Sequence, residues 1–387
     1  MARKKILWLC SWYPNKLEPY NGDFIQRHAI AAALYNDIHV IHVAADPALS
    51  HPTEEVLNIS EGLTEQIVYY KRPVSVFAKL RNHYSWSKAY KKAIRSYIAA
   101  NGQPALIHIH VPMMAGMMIR KIRGFCKAPY VITEHWTIYQ PGSQVQYIKQ
   151  SALFKAALRN IIRGSRLLLP VSVNLGETIN EQVEKKAFYM VENVADTKLF
   201  FYKENILPHD NFRFIHVSNM SYQKNTEAIV RTFIEVHTKS LQTELVLVGA
   251  ISPRVEMLAT KSGLLGTHIF FRGEVSYAEV AVEMQHAHVL VMFSRFENSP
   301  CSIIEALCCG LLVICTAVGG VPELLNKENG LLVEPGNEKA LFVAMRTVQA
   351  DYTRYNRKKI AEDAAGKFSY PVIGKKLDVV YTKESMV

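Results

Sequence analysis

At 387 residues the chain exceeds what one hydrophobic core usually organises, so two domains are expected. A composition of 49% hydrophobic and 20% charged residues, without low-complexity tracts, excludes extended disorder, and no apolar run is long enough to span a membrane. The net charge of +11 calls for an anionic partner: nucleic acid, an anionic membrane surface or a phosphorylated substrate.

The start, MARKKILWLCSWYP, sets basic residues before an apolar run, but the run is short and lacks a small-residue cleavage site. It reads as a first β-strand. A turn-rich loop follows and ends at a helix from about Asp23, with Phe24, Ile25, His28, Ala31 and Ala32 at helical spacing. IHVIHVAA is the next strand, so the order is β-α-β and the sheet is parallel. The loop containing Gly22 then lies at a strand's C-terminal end, beside a helix N-terminus. Residues Val74 to Gly102 look less regular and strongly basic (Lys79, Arg81, Lys88, Lys91, Lys92, Arg95), interleaved with Tyr84, Trp86, Tyr90 and Tyr97. LIHIHV puts His108 and His110 on one strand face; with no third ligand nearby, packing or substrate contact is expected rather than metal. PYVIT is a strand that runs into Glu134, His135 and Trp136. A helix is expected from Gln146 to Leu169, with Lys155, Arg159, Arg163 and Arg166 as a basic stripe. Such a stripe is either a solvated face or, beside the earlier basic region, a contact for anionic lipid.

FRFIHVSNMSYQKNTEAIVRTF opens a second strand-loop-helix unit, in which Lys224 closes the loop just before a helix. HVLVMFS is a buried strand, RFENS a polar loop, and Ser299-Pro300 a helix start with Ser299 as its cap. That helix should end near Gly310. A strand feeding a loop and a helix N-terminus presents backbone amides and a positive dipole end, where anions bind. Glu297 and Glu305, with seven residues between them, flank the spot. Amides for phosphate beside carboxylates for hydroxyls suit a nucleotide sugar. The six cysteines, four of them between Cys301 and Cys315, lack zinc-type spacing and read as small buried hydrophobes in a reducing cytoplasm.

The E-x7-E pair in this setting, followed by GLLVICTAVGGVPELL and NGLLVEPGN, resembles the retaining glycosyltransferases of family 4, of fold type GT-B. The resemblance implies two doubly wound, Rossmann-like α/β domains facing across a cleft. Residues 1–195 would bind the acceptor and 196–366 the nucleotide-sugar donor. Residues 367–387 would form a C-terminal helix returning to the first domain, and Glu192 to Asp196 with Phe200 resembles the family's interdomain connection. Glu305 would accept hydrogen bonds from the donor's ribose hydroxyls, while Glu297 would face the transferred sugar and diphosphate. The loop amides of Asn298, Ser299, Cys301 and Ser302 would cradle phosphate. Lys224 would stabilise the leaving diphosphate. The arginine that related enzymes usually carry five residues before that lysine is Asn219 here, so Arg272 or Arg295 would have to supply a second cation. Gly22 would let the backbone approach the donor phosphate, and Gly249 and Gly273 would let it approach the base. His135 would contact the sugar or the developing oxocarbenium ion without acting as a base. No Asp-x-Asp pair occurs, and the GT-B type needs neither a divalent metal nor a cofactor.

The reaction expected from this resemblance is transfer of a sugar, with retention, from a UDP- or GDP-linked donor to a lipid-linked saccharide or growing surface glycan, as in polysaccharide or lipopolysaccharide biosynthesis. The enzyme would be cytoplasmic and peripheral on an anionic membrane. A sugar-nucleotide epimerase or phosphorylase on the same fold is the alternative. A dinucleotide oxidoreductase would need G-x-G-x-x-G after a strand, which is missing from the chain. A nucleic-acid partner would explain the charge, but no binding motif accompanies it.

Overall fold

The computed structural model describes residues 3–72, 78–204 and 211–385, except the side chains of 78 and 79. Val74 to Phe77, and the side chain of Lys79, lie outside the described residues. The chain forms two compact units: Met1–Trp136 with Tyr147–Val194 and Tyr370–Val387, and Thr137–Gln146 with Ala195–Ser369.

The first unit is built on β1 (Lys5–Cys10), β2 (Asp37–Asp46), β3 (Thr53–Ser60), β4 (Leu63–Lys71), β5 (Leu106–His110), β6 (Tyr130–Glu134) and β7 (Leu168–Pro170). Their order across the sheet is β3-β4-β2-β1-β5-β6-β7, parallel except for the β3–β4 hairpin. Ile6 to Cys10 of the central strand are all fully buried, as a strand covered on both faces requires. Helices α1 (Asp23–Ala33), α2 (Ala78–Asn101), α3 (Met117–Ile122), α4 (Ala152–Gly164) and α5 (Val173–Gln182) connect the strands.

Two of these helices correct the sequence reading. The basic region that looked irregular is the 24-residue α2. Trp86, Ala89, Tyr90, Ala93, Ile94 and Tyr97 are buried at helical spacing, and the Tyr90 hydroxyl donates to the Cys10 carbonyl at 2.8 Å. The abundant lysines and arginines hid that stripe, and three of the four aromatic residues expected to interleave with them are core. The helix expected over Gln146 to Leu169 is shorter. Ser151 caps α4 by accepting from the Phe154 amide at 3.2 Å, and Arg166 falls outside the helix. Arg163 grips Glu184 at 2.8 and 3.0 Å, so part of the basic stripe is already neutralised.

The second unit stacks β8 (Phe212–Val217), β9 (Thr243–Val248), β10 (Ile269–Gly273), β11 (Val289–Met292), β12 (Leu312–Thr316) and β13 (Gly330–Val333). All pairs are parallel in the order β10-β9-β8-β11-β12-β13. Helices α6 (Thr226–Lys239), α7 (Pro253–Lys261), α8 (Tyr277–Gln285), α9 (Cys301–Cys308), α10 (Glu338–Asp351) and α11 (Arg357–Phe368) complete it. The strand order runs outward in both directions from the β8/β11 pair. The connections leaving those two strands therefore diverge and leave a crevice at the sheet's C-terminal edge. The β1/β5 pair does the same in the first unit.

Pro300, not Ser299, holds the cap position of α9, because its own fixed φ starts the helix without a side-chain cap. The far end is as expected. Gly310 takes φ +72°, its amide donates to Leu307 O at 2.9 Å, and the Leu311 amide donates to Ala306 O at 3.0 Å. The last helix, α12 (Tyr370–Ser385), packs on α1 in the first unit, where Gly374 permits the crossing: a Cβ there would lie 2.1 Å from Ala31 O.

Candidate active site

In the second unit, the loops after β8 and β11 bring Lys224 and Glu297 together. The Lys224 ammonium lies 2.6 Å from Glu297 Oε1, and Gln223 Nε2 donates to Glu297 Oε2 at 3.0 Å. Both charged side chains are largely buried, so each depends on the other for its solvation. The Arg295 amide donates to Gln223 O at 2.8 Å, and its guanidinium donates to Tyr222 O at 3.1 Å and Asn225 Oδ1 at 2.6 Å. That guanidinium also lies over the Tyr222 ring, 4.5 Å from its centroid. Arg295 thus sits on the loop that holds Lys224. Arg272 sits on the edge strand β10 and pairs with Glu283 at 2.7 Å. Asn219 is exposed and accepts from the Ser221 amide at 3.2 Å, closing a turn rather than supplying charge.

Beneath this loop His216 is fully buried. Its Nδ1 donates to Val291 O at 2.8 Å, and its Nε2 accepts from the Ser218 hydroxyl at 2.7 Å. Burial pushes its pKa down to about 4, so the ring is a neutral strut under the Lys224 loop. Two glycines allow close backbone approach. A Cβ at Gly249 (φ +128°) would lie 1.8 Å from Ser218 O, and one at Gly319 (φ +51°) the same distance from Glu297 O. Gly273, also at positive φ, accepts from the Gly249 amide at 2.8 Å.

The loop from Phe296 to Ser299 is buried. Asn298 is braced twice, its carbonyl by the Gly320 amide at 3.0 Å and its Oδ1 by Gln140 Nε2 at 2.8 Å. The first-turn amides of α9, from Cys301 and Ser302, start the helix beside it. The Ser302 hydroxyl itself turns back to Met292 Sδ at 3.2 Å. Glu305, 5% exposed, accepts from the Tyr277 hydroxyl at 2.8 Å. Buried Cys308, near that carboxylate, has its thiol pushed up to about 12, chiefly by burial.

In the first unit, Gly22 (φ +71°) begins α1 where the loop folds back on itself; a Cβ there would meet the Trp12 carbonyl carbon at 2.7 Å. His135 follows β6. Buried Glu134 turns the chain there by accepting from the His135 and Trp136 amides at 2.8 and 2.9 Å. The His135 ring packs at 4.7 Å from Phe24, 5.5 Å from His28 and 5.9 Å from His110. Burial, then the neighbouring histidines, hold its pKa well below the usual value, so it is a neutral imidazole. His108 lies between the Tyr381 hydroxyl and Thr133 Oγ1, each at 2.7 Å, while His110 stacks on Trp8 at 4.0 Å. The two-histidine strand is packing. Among the described residues no three His, Cys, Asp or Glu side chains form a metal-holding group.

Comparison with known proteins decides the class. Residues 211–351 match the family described as glycosyl transferases group 1, and residues 25–199 match glycosyltransferase family 4. The chain belongs to the family-4 glycosyltransferases. Along 97% of its length this glycosyltransferase is 25% identical to Bacillus subtilis (strain 168) TuaC, described as a candidate teichuronic acid biosynthesis glycosyltransferase, of which 95% is covered. It is 27% identical to the N-acetyl-alpha-D-glucosaminyl L-malate synthase of Bacillus anthracis, over 47% of this chain and 50% of that protein. Among solved structures, sucrose-phosphate synthase from Thermosynechococcus elongatus superposes with a TM-score of 0.76 at 20% identity, covering 98% of this chain and 99% of that one. Anabaena Alr3699/HepE in complex with UDP and glucose gives a TM-score of 0.75 at 17% identity, covering 98% and 100%. These likenesses give the glycosyltransferase the GT-B fold.

Sequence reasoning about this glycosyltransferase missed Gln223, Tyr277, His216 and Gly319. Gln223 sits beside Lys224 in a loop already singled out, and Gly319 lies within a segment quoted for the resemblance. Only the contacts reveal what they do.

Proposed function

We propose that the enzyme transfers a sugar, with retention and without a divalent metal, from a UDP- or GDP-linked donor to a lipid-linked saccharide or growing surface glycan. The observation that carries this reading is the buried Lys224–Glu297 pair at the β8/β11 crevice, with Arg295 beside it and the first turn of α9 next to it. As the bond at the anomeric carbon breaks, negative charge develops on the leaving diphosphate. Lys224, Arg295 and the α9 amides offer it fixed positive charge, the task a metal performs elsewhere. Glu305 accepts from the ribose, and Glu297 faces the sugar and diphosphate. The acceptor hydroxyl attacks on the face the leaving group vacates and passes its proton to a leaving phosphate oxygen. Neutral His135 contributes a hydrogen bond to the sugar rather than a base. The likeness to a protein solved with UDP and glucose supports the donor class. Incubation with UDP-, GDP- and ADP-sugars in EDTA should release nucleoside diphosphate and yield a product of unchanged anomeric configuration by NMR. Product with inverted configuration, or dependence on added metal, overturns the respective part.

The acceptor side of the reading rests on charge. From Gln66 to Gly176 the chain carries seventeen lysines and arginines against one carboxylate, buried Glu134. Exposed Leu80, Tyr84 and Leu153 accompany these cations. A peripheral site on the cytoplasmic face of an anionic membrane fits, with each basic residue near the surface contributing about 1 kcal/mol. Vesicles containing phosphatidylglycerol should bind the protein at low salt while phosphatidylcholine vesicles do not. Lys88→Glu with Lys92→Glu should weaken binding roughly tenfold or more. Equal binding to both vesicles removes the membrane.

A further inference from the structure

We propose that Tyr277 is a positioning residue that fixes Glu305 for the donor's ribose and so sets the enzyme's preference for ribonucleotides. This rests on the ribose reading of Glu305 given above. Tyr277 is the first residue of α8, and a capping box fixes where that helix begins: the Ser276 amide donates to Glu279 Oε2 at 2.8 Å, and Ser276 Oγ accepts from the Glu279 amide at 3.3 Å. The ring is held from the side by buried Phe200, 4.8 Å between centroids. Phe200 is itself clamped, because Gln285 of α8 donates to the carbonyls of Leu199 and Phe201 on either side of it, at 3.0 and 3.4 Å. The hydroxyl thus reaches Glu305 Oε1 at 2.8 Å from a rigid frame.

The chemistry follows from what a carboxylate can accept. Each oxygen offers two lone pairs, so an oxygen bonded to a phenol still has capacity for a sugar hydroxyl. A glutamate has several rotatable bonds, and fixing them before the ligand arrives removes an ordering cost from binding. Glu305 is nearly buried, so without the phenol one oxygen would lose a hydrogen bond in a site with little water. Tyr277 touches Glu305, and its effect on the nucleotide passes through that carboxylate.

The test is calorimetry of Tyr277→Phe, which keeps the ring and removes only the hydroxyl. UDP, GDP and ADP are titrated into wild type, and the tightest binder is then compared with its 2′-deoxy and 3′-deoxy analogues. Wild type should prefer the ribonucleotide. Tyr277→Phe should bind the ribonucleotide about five- to tenfold more weakly. It should bind the deoxy analogue that wild type disfavours almost normally, so discrimination falls, and kcat at saturating donor should hold. Unchanged ribonucleotide affinity, or an equal loss for both nucleotides, overturns the proposal, since a merely structural tyrosine or one that stacks on the base would not change discrimination. Glu305→Gln is measured alongside. If it loses discrimination while Tyr277→Phe keeps it, only the role of Tyr277 falls. If wild type itself shows no discrimination, the ribose reading of Glu305 falls and takes this proposal with it.

Discussion

Glu297→Gln should bind nucleoside diphosphate as well as wild type or more tightly, yet turn over at least tenfold more slowly. Glu305→Ala should instead bind nucleoside diphosphate more weakly. The contrast comes from where each carboxylate acts. Glu297 carries a negative charge 2.6 Å from Lys224, the cation that the diphosphate would use. Removing that charge frees the ammonium and removes a repulsion, so the product-like ligand gains. If Glu297 faces the reacting sugar, what is lost is an interaction felt in the transition state; a tenfold loss is about 1.4 kcal/mol. If Glu305 binds ribose hydroxyls, its bonds exist before, during and after transfer. Its loss then weakens donor and product alike, by about 1.5–3 kcal/mol for bonds to a charged acceptor, or roughly 10- to 150-fold. Unpairing a buried Lys224 costs stability too, so each variant needs a thermal melt before its kinetics are read. Unchanged nucleotide affinity in Glu305→Ala, together with near-normal turnover in Glu297→Gln, would sink this reading of the motif.

The sequence made legible whatever depends on local pattern. Continuous apolar runs such as ILWLC, LIHIH and VLVM are buried parallel strands, and alternation of strand and helix gives both sheets their topology. Lys224 and Glu297, 73 residues apart, were each visible from their strand-loop-helix setting, and neighbouring parallel strands bring them together. The less legible parts depend on contacts across the sequence. Nothing in VSYAEV says that Tyr277 reaches Glu305, 28 residues on. Only strand order shows that Arg272 lies on the sheet edge while Arg295 bonds into the loop that carries Lys224. The helix α2 was hidden because its lysines and arginines crowd the exposed face and drown the three-and-four spacing of Trp86, Tyr90, Ile94 and Tyr97.

Acidification from pH 7.5 to 5 should lower the folding stability. His108 and His110 are fully buried and His135 nearly so, and burial holds all three pKa values well below the ordinary range. In the second unit burial takes His216 to about 4 and His288 to about 3, with the Arg357 and Arg213 charges adding to the latter. A folded-state pKa below the unfolded value of about 6.5 means that the unfolded chain binds more protons in that window. Stability therefore rises with pH, is complete above about 6.5 and is lost as pH falls. Integrated to pH 5, His216 and His288 each cost about 2 kcal/mol, and the three first-unit histidines act in the same direction. Burial lowers His28 as well, opposed by its contacts with the carbonyls of Phe24 and Glu192 at 2.8 and 3.0 Å. Urea melts at intervals between pH 7.5 and 5 measure the slope. His110→Phe removes a ring whose two nitrogens have no hydrogen-bond partner. That variant should match wild type at pH 7.5 and lose less on acidification. Stability that stays flat from pH 7.5 to 5 would mean that these histidines take up protons in the folded state, and would sink the argument.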